Sequence, residues 1–170
     1  MSRRRSPKKR SYRPDPIYQS ILVHMFVNCL MRKGKKSLSY RILYSVLNQI
    51  QDKTQRDALV VLEYAIRMVT PTVQLKSRRV GGTTYQIPIE VGPRRGTAMA
   101  IQWILTSARR RPGRDITTRL LAEILDAVRG NGGAVRKREE DLRIAEANKA
   151  FARYRFLSKS ANIETVLIVE

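Results

Sequence analysis

The sequence predicts a mainly α-helical fold, a single bundle of about six helices from which a two-stranded β-hairpin protrudes, preceded by a basic disordered N-terminal tail. Three observations predict it. Apolar residues recur at helical spacing in six separate stretches, whereas residues 72–91 change to a period of two around Gly81-Gly82. Residues 2–14 hold seven cations, two prolines and no acid, so they cannot collapse on their own. At 170 residues the chain fits one domain, of a size that buries about 70% of its unfolded surface without metals or crosslinks. The division is a basic extension over 1–14, a helical domain with its arm at 72–91 over 15–155, and a C-terminal extension over 156–170.

Asp15-Pro16 supplies an N-cap and a first-turn proline, and Ile17, Ile21, Leu22, Met25, Phe26, Cys29 and Leu30 trace the first helical stripe, which Gly34 ends. Ser37 is placed to cap the second helix, with Leu38, Ile42, Leu43, Val46, Leu47 and Ile50 on its apolar face. Asp57 starts the third, with Leu59, Leu62, Ile66 and Val69 inward, and Pro71 stops it. In the arm, Val73 and Leu75 face Tyr85, Ile87, Ile89 and Val91 across the glycines. A strict two-residue loop pairs Leu75 with Pro88 and puts the apolar sets on different faces, so a three-residue or bulged turn pairing Leu75 with Ile87 is expected. Pro88 has no amide hydrogen, which rules against a central place in a larger sheet.

After the arm, residues 97–111 carry Ile101, Ile104, Leu105 and Ala108 on one face and end in Arg109-Arg110-Arg111. The helix dipole is worth only about 0.3–1 kcal/mol per cation, too little to account for three adjacent arginines followed by Arg114. Asp115 caps a fifth helix bearing Leu120, Leu121, Ile124, Leu125 and Val128, and Gly130-Asn131-Gly132-Gly133 breaks it. A sixth helix runs from about Ala134 to Tyr154 with a thin stripe of Leu142, Ala145, Phe151 and Tyr154, so it is half exposed.

Thirty-four Lys and Arg against fourteen Asp and Glu give a net charge of +20, far beyond what solubility requires. A polyanion is the expected partner. Nucleic acid fits better than a membrane surface, because the cations are spread along the chain and the helices have ordinary core faces. No apolar run approaches the roughly 18 residues of a membrane span. The N-terminus lacks an apolar signal segment and is short for an organelle transit peptide, so synthesis in the compartment of use is expected.

Catalytic chemistry finds no foothold. Cys29 and His24 are the only residues of their types, which leaves no disulfide framework and no zinc ligand set; both are read as structural, Cys29 in the core. Glu139, Glu140 and Asp141 are consecutive on a helix and diverge, with Glu139 placed to pair with Arg143. Gly81-Gly82 lacks the strand-to-helix setting of a phosphate loop, and Trp103 is read as core rather than a base-stacking platform. No enzyme, metal or cofactor is expected. The alternative is an architectural DNA-binding protein using the basic ribbon in a minor groove, although Pro88 lies too far from the tip to serve as its wedge.

The segments DPIY at 15–18, GKKSLSY at 34–40, KSRRVGG at 76–82, YQIPIEV at 85–91, RRPGR at 110–114, AVRKREE at 134–140 and AEANKAFARYR at 145–155 occur in this order. Together they closely resemble the bacterial and organellar family of small-subunit ribosomal protein seven. The resemblance implies a non-enzymatic constituent of the ribosome that binds the 3′ domain of small-subunit rRNA through residues 15–155, starts assembly of the subunit head, and lies near the exit-site tRNA and the mRNA exit. Carried over by motif, Lys35, Lys36, Lys76, Arg78, Arg79, Arg94, Arg95, Arg109, Arg110, Arg111 and Arg114 are expected on rRNA. The tail cations Arg3, Arg4, Arg5, Lys8, Lys9 and Arg10 join them as a run suited to a groove of folded RNA. Val80, Gly81 and Gly82 match the hairpin tip near the tRNA, and Phe151 and Tyr154 match a contact with protein eleven; proteins nine and thirteen are further expected neighbours. MSRRRS at 1–6 and IQDKT at 50–54 resemble plastid members, which implies the plastid stroma rather than a bacterial cytoplasm. Residues 156–170, with Val166-Leu167-Ile168-Val169, depart from the family pattern and have no role assigned.

Overall fold

A computed structural model describes residues 13–80 and 82–156. Six helices and a hairpin follow in the order α1 (Ile21–Leu30), α2 (Lys36–Thr54), α3 (Ala58–Val69), β1 (Val73–Val80), β2 (Thr83–Glu90), α4 (Pro93–Arg110), α5 (Ile116–Val128) and α6 (Gly133–Ala147), with a terminal 3-10 segment over Lys149–Phe156. The mainly helical fold with one hairpin is as expected. The tail cations from Arg3 to Arg10, Gly81 and residues 157–170 lie outside the described residues.

One apolar cluster draws on all six helices, from Val23, Phe26 and Val27 of α1 to Ala134 and Val135 of α6. It includes Leu62, Ile66 and Val69 of α3, the expected face of α4, and Leu120, Leu121 and Ile124 of α5, with Leu59, Leu125, Val128 and Trp103 partly buried against it. Asp57 caps α3 as expected, its carboxylate accepting the Leu59 N–H at 2.9 Å.

The first helix starts later than its proline suggested. The Asp15 carboxylate accepts the N–H groups of Ile17 and Tyr18 at 3.2 and 3.0 Å, which closes a separate turn, and Gln19 at φ +49° then reverses the chain before α1 begins. Ile17 and Ile21 are therefore 65% and 51% exposed rather than part of the buried stripe. Cys29, expected in the core, is also exposed. Helix α1 ends at Leu30, ahead of Gly34, which at φ +75° shapes the corner instead. Lys35, not Ser37, occupies the cap of α2, and Ser39 Oγ donates to the Lys35 carbonyl at 3.2 Å.

The hairpin adopts the register that the apolar pattern had counted against: Leu75 pairs with Pro88, Lys76 with Ile87 and Val80 with Thr83, around a two-residue loop in which Gly82 sits at φ +88°. The expectation of a bulged turn assumed that only one face needs covering. Here the terminal 3-10 segment packs on β2 and α6 packs on β1. Ile87 is fully buried, Phe151 lies 4.7 Å from Tyr85 between ring centroids, and Leu75 and Pro88 on the other face are half-buried. The arm is packed at its base and exposed at Arg79, Gly82, Thr83 and Thr84.

Helix α4 starts at Pro93, four residues before the expected Thr97, so Arg94 and Arg95 belong to its first turn. Helix α6 stops at Ala147 rather than Tyr154, which puts Phe151 in the 3-10 segment against the arm. Glu139 pairs with Arg138 at 3.8 Å rather than with Arg143, while Lys137 spans Glu140 and Asp141 at 3.6 and 3.0 Å.

Candidate nucleic-acid interface

The corner between α1 and α2 and the C-terminal end of α4 are far apart in sequence, and the bundle brings them to one cleft of about 380 Å³. Arg32, Lys33, Lys35, Arg109 and Arg119 line it over an aliphatic floor of Leu30, Leu38, Ile42 and Ile116. No carboxylate lies among its lining residues. Burial first, and the nearby Arg32 charge second, push the Arg109 guanidinium below its ordinary range. A site that already disfavours its own cations in this way gains from an anion.

The expected cations are not all free for a partner. Arg109 Nη2 donates to the Leu30 carbonyl at 3.4 Å, and Arg119 Nη1 donates to the carbonyls of Arg109 and Arg111 at 3.3 and 3.5 Å. Arg138 likewise donates to the Met68 carbonyl. Each satisfies carbonyls at a helix end that would otherwise lack partners, those of α1, α4 and α3 respectively. Arg111 reaches two carboxylates, Glu123 through Nε and Asp126 through Nη2, both at 2.5 Å. Burial by itself would lower the Arg111 pKa, but those hydrogen bonds outweigh it and hold the charge more firmly than usual. Arg110 and Arg114 remain exposed. Arg94, Arg95, Lys35 and Lys76 are exposed too, whereas Lys36 Nζ lies 5.7 Å over the Tyr40 ring, within cation–π range.

On the arm, strand alternation sends Arg78 and Arg79 to opposite faces. Arg78 sits opposite Tyr85 and is half-buried, while Arg79 is exposed and its Nε donates to the Gly82 carbonyl at 3.3 Å. Val80 ends β1 opposite Thr83, and Gly82 lies in the loop at φ +88°. Phe151 is half-buried against Tyr85, and the backbone of Tyr154 follows in the same segment.

Two networks escaped sequence reasoning. Asp15, only 1% exposed, accepts the Tyr44 hydroxyl at 2.9 Å, and Tyr40 Oη meets His24 Nδ1 at 3.1 Å. Burial first holds the hydroxyls of Tyr18, Tyr40 and Tyr44 above the ordinary tyrosine range, followed by the Asp15 charge at Tyr18 and Tyr40 and by the hydrogen bond to Asp15 at Tyr44. The other network is centred on Glu123, 1% exposed, whose Oε1 accepts the Ala134 N–H at 2.9 Å. Its signal was present: Glu123 falls three residues after Leu120 and four before Ala127, on the apolar stripe of α5. Partial burial pushes the Cys29 thiol up, which disfavours a nucleophilic thiolate. Among the described residues, no group of three or more His, Cys, Asp or Glu gathers to hold a metal ion, and no helix is long and apolar enough to cross a membrane.

A family model described as ribosomal protein S7p/S5e matches residues 2–149. A small ribosomal subunit protein uS7c of Chlorella vulgaris is 56% identical over 156 residues, 92% of this chain and 100% of that protein. The protein of the same name from Tupiella akineta is 52% identical over the same shares of both chains.

Proposed function

The chain belongs to the ribosomal protein S7p/S5e family as a plastid-type member, and we propose that it acts as the primary rRNA-binding protein of the small-subunit head in chloroplast ribosomes. It is a structural constituent and not an enzyme. In this reading it binds the 3′ domain of the rRNA and nucleates its assembly. The hairpin tip at 80–82 approaches the exit-site tRNA near the mRNA exit, the segment carrying Phe151 and Tyr154 meets protein eleven, and proteins nine and thirteen are neighbours.

The observation that carries the RNA reading is the acid-free cleft between α2, α4 and α5. Its five cations suit phosphates, and its aliphatic floor gives an unstacked base the apolar contact that a regular duplex backbone cannot use. Arg110, Arg114, Lys76, Arg79, Arg94 and Arg95 add exposed charge outside the cleft. The run from Arg3 to Arg10 extends the electrostatic footprint.

Competition binding tests this reading, with a 3′-domain rRNA fragment, transfer RNA and duplex DNA at one fixed salt concentration. The rRNA fragment should persist at salt that removes the other two, because shape readout of folded RNA outlasts generic phosphate attraction. Replacing Arg32 and Lys35 with Ala should weaken the rRNA complex and reduce its salt slope by about 0.7–0.9 for each phosphate no longer neutralised. Equal competition by duplex DNA would instead favour an architectural DNA binder.

A further inference from the structure

Glu123 holds a place that stability alone does not explain. Its carboxylate is buried among the apolar residues of α5, and a buried ion pair is commonly no better for stability than well-packed apolar side chains of the same volume. Its two oxygens act on different elements. Oε2 accepts from Arg111, the residue just past α4, and Oε1 accepts the Ala134 N–H in the first turn of α6.

The surrounding geometry is built around that carboxylate. A Cβ at Gly132, which sits at φ +111°, would lie 3.1 Å from Glu123 Oε1, and one at Gly133 would lie 3.0 Å from Ser107 Oγ. Asp126 grips the other end of the Arg111 guanidinium, and Arg119 ties the carbonyls of Arg109 and Arg111. The loop from Arg111 to Asp115 is thereby pinned to α5, with Arg110 and Arg114 exposed on either side of the pinned arginine. The same carboxylate holds the first turn of α6, where Arg136 is exposed.

We propose that Glu123 is a positioning residue for RNA recognition, fixing the spacing between the Arg110/Arg114 cations and the Arg136 cation so that they match one arrangement of phosphates in folded RNA. The proposal rests on the RNA-binding reading above. Phosphate contacts set register and orientation rather than read sequence, so a fixed spacing of cations is itself a source of shape selectivity.

The test compares wild type with Glu123→Gln, which keeps the size of the side chain and every cation. Affinity is measured for the 3′-domain rRNA fragment and for a single-stranded homopolymer at one salt concentration, with circular dichroism confirming the fold. The fragment complex should weaken roughly tenfold, as for about 1.4 kcal/mol of poorer fit, with homopolymer binding unchanged. A merely structural role would change both ligands together or neither, and either result in a folded Glu123→Gln overturns the proposal. If that variant does not fold, Asp126→Asn removes only the half-buried carboxylate from the same guanidinium and should lower the fragment-to-homopolymer ratio in the same direction; an unchanged ratio there overturns the proposal as well. Failure of the underlying reading looks different, because wild type itself would then show no preference for the fragment.

Discussion

The two ends of α4 carry the same residue type in opposite electrostatic settings. At its C-terminal end Arg109, Arg110 and Arg111 lie where the helix dipole favours cations, and Arg111 is held further by Glu123 and Asp126. At its N-terminal end Arg94 and Arg95 lie exposed in a first turn without an acidic residue, where the dipole opposes them. A cation held by buried or half-buried carboxylates, as Arg111 is, needs no external partner to account for it. One that local structure disfavours points outward, and that distinction sorts the basic residues better than counting them.

The largest expected effect comes from breaking the stabilised end. Arg111→Met leaves Glu123 buried without its counter-charge, a change that costs about 3–5 kcal/mol in such pairs. Because Asp126 and Arg111 are partly solvated, the low end applies, and the melting temperature should fall by roughly 6–12 °C for a chain of this length. Thermal unfolding checks it. A shift under about 2 °C would mean that the pair is not what holds α5 to the end of α4.

A second buried carboxylate probes the same distinction with a smaller effect. Tyr44→Phe removes the hydroxyl that donates to Asp15, and a hydrogen bond to a charged group is worth about 1.5–3 kcal/mol. Asp15 keeps two backbone donors, so a destabilisation of about 1.5 kcal/mol is expected in urea unfolding at neutral pH. The pH dependence has a definite sign. The folded state holds the Tyr44 phenol protonated above its ordinary pKa of 10.0, so this contribution is complete below about pH 10 and is lost as pH rises beyond it. The variant should show a shallower alkaline decline than wild type, with Tyr18 and Tyr40 supplying the remainder.

Much of the fold was legible because helical periodicity reports burial directly. Leu62, Ile66 and Val69 of α3 and Ile101, Ile104, Leu105 and Ala108 of α4 are buried where their spacing placed them. The failures have physical causes. Asp15-Pro16 has the signature of a helix start, but the carboxylate closes a turn and serves Tyr44 instead, a contact 29 residues away that no local pattern records. The hairpin keeps the two-residue-loop register, with β2 packed by the 3-10 segment and β1 by α6, elements that lie more than 40 residues further along the chain. In the candidate site Lys35, Arg110 and Arg114 are exposed, whereas the internal use of Arg109 and Arg111 depends on partners from α1 and α5 that no local pattern records. Arg119 and the Leu30, Leu38, Ile42 and Ile116 floor of the cleft were likewise invisible, since only the packed bundle brings them together.

The smallest expected effect discriminates most sharply, because it predicts opposite signs at the two ends of one helix. Arg94→Ala and Arg95→Ala each remove a cation from a first turn and should raise stability by about 0.3–1 kcal/mol at low salt. Arg110→Ala removes an exposed cation from the last turn of the same helix and should lower stability by a similar amount. If Arg94 and Arg95 contact phosphates, their replacement should also weaken rRNA binding and reduce the salt slope by about 0.7–0.9 per phosphate no longer neutralised, so that affinity and stability move in opposite directions. The Arg110 variant should show a decline in both. Unfolding and binding measured on the three variants in one buffer decide the matter: stability and affinity falling in parallel at Arg94 and Arg95 would show that those side chains serve the fold after all, and that their place at the helix start is no guide to an RNA contact.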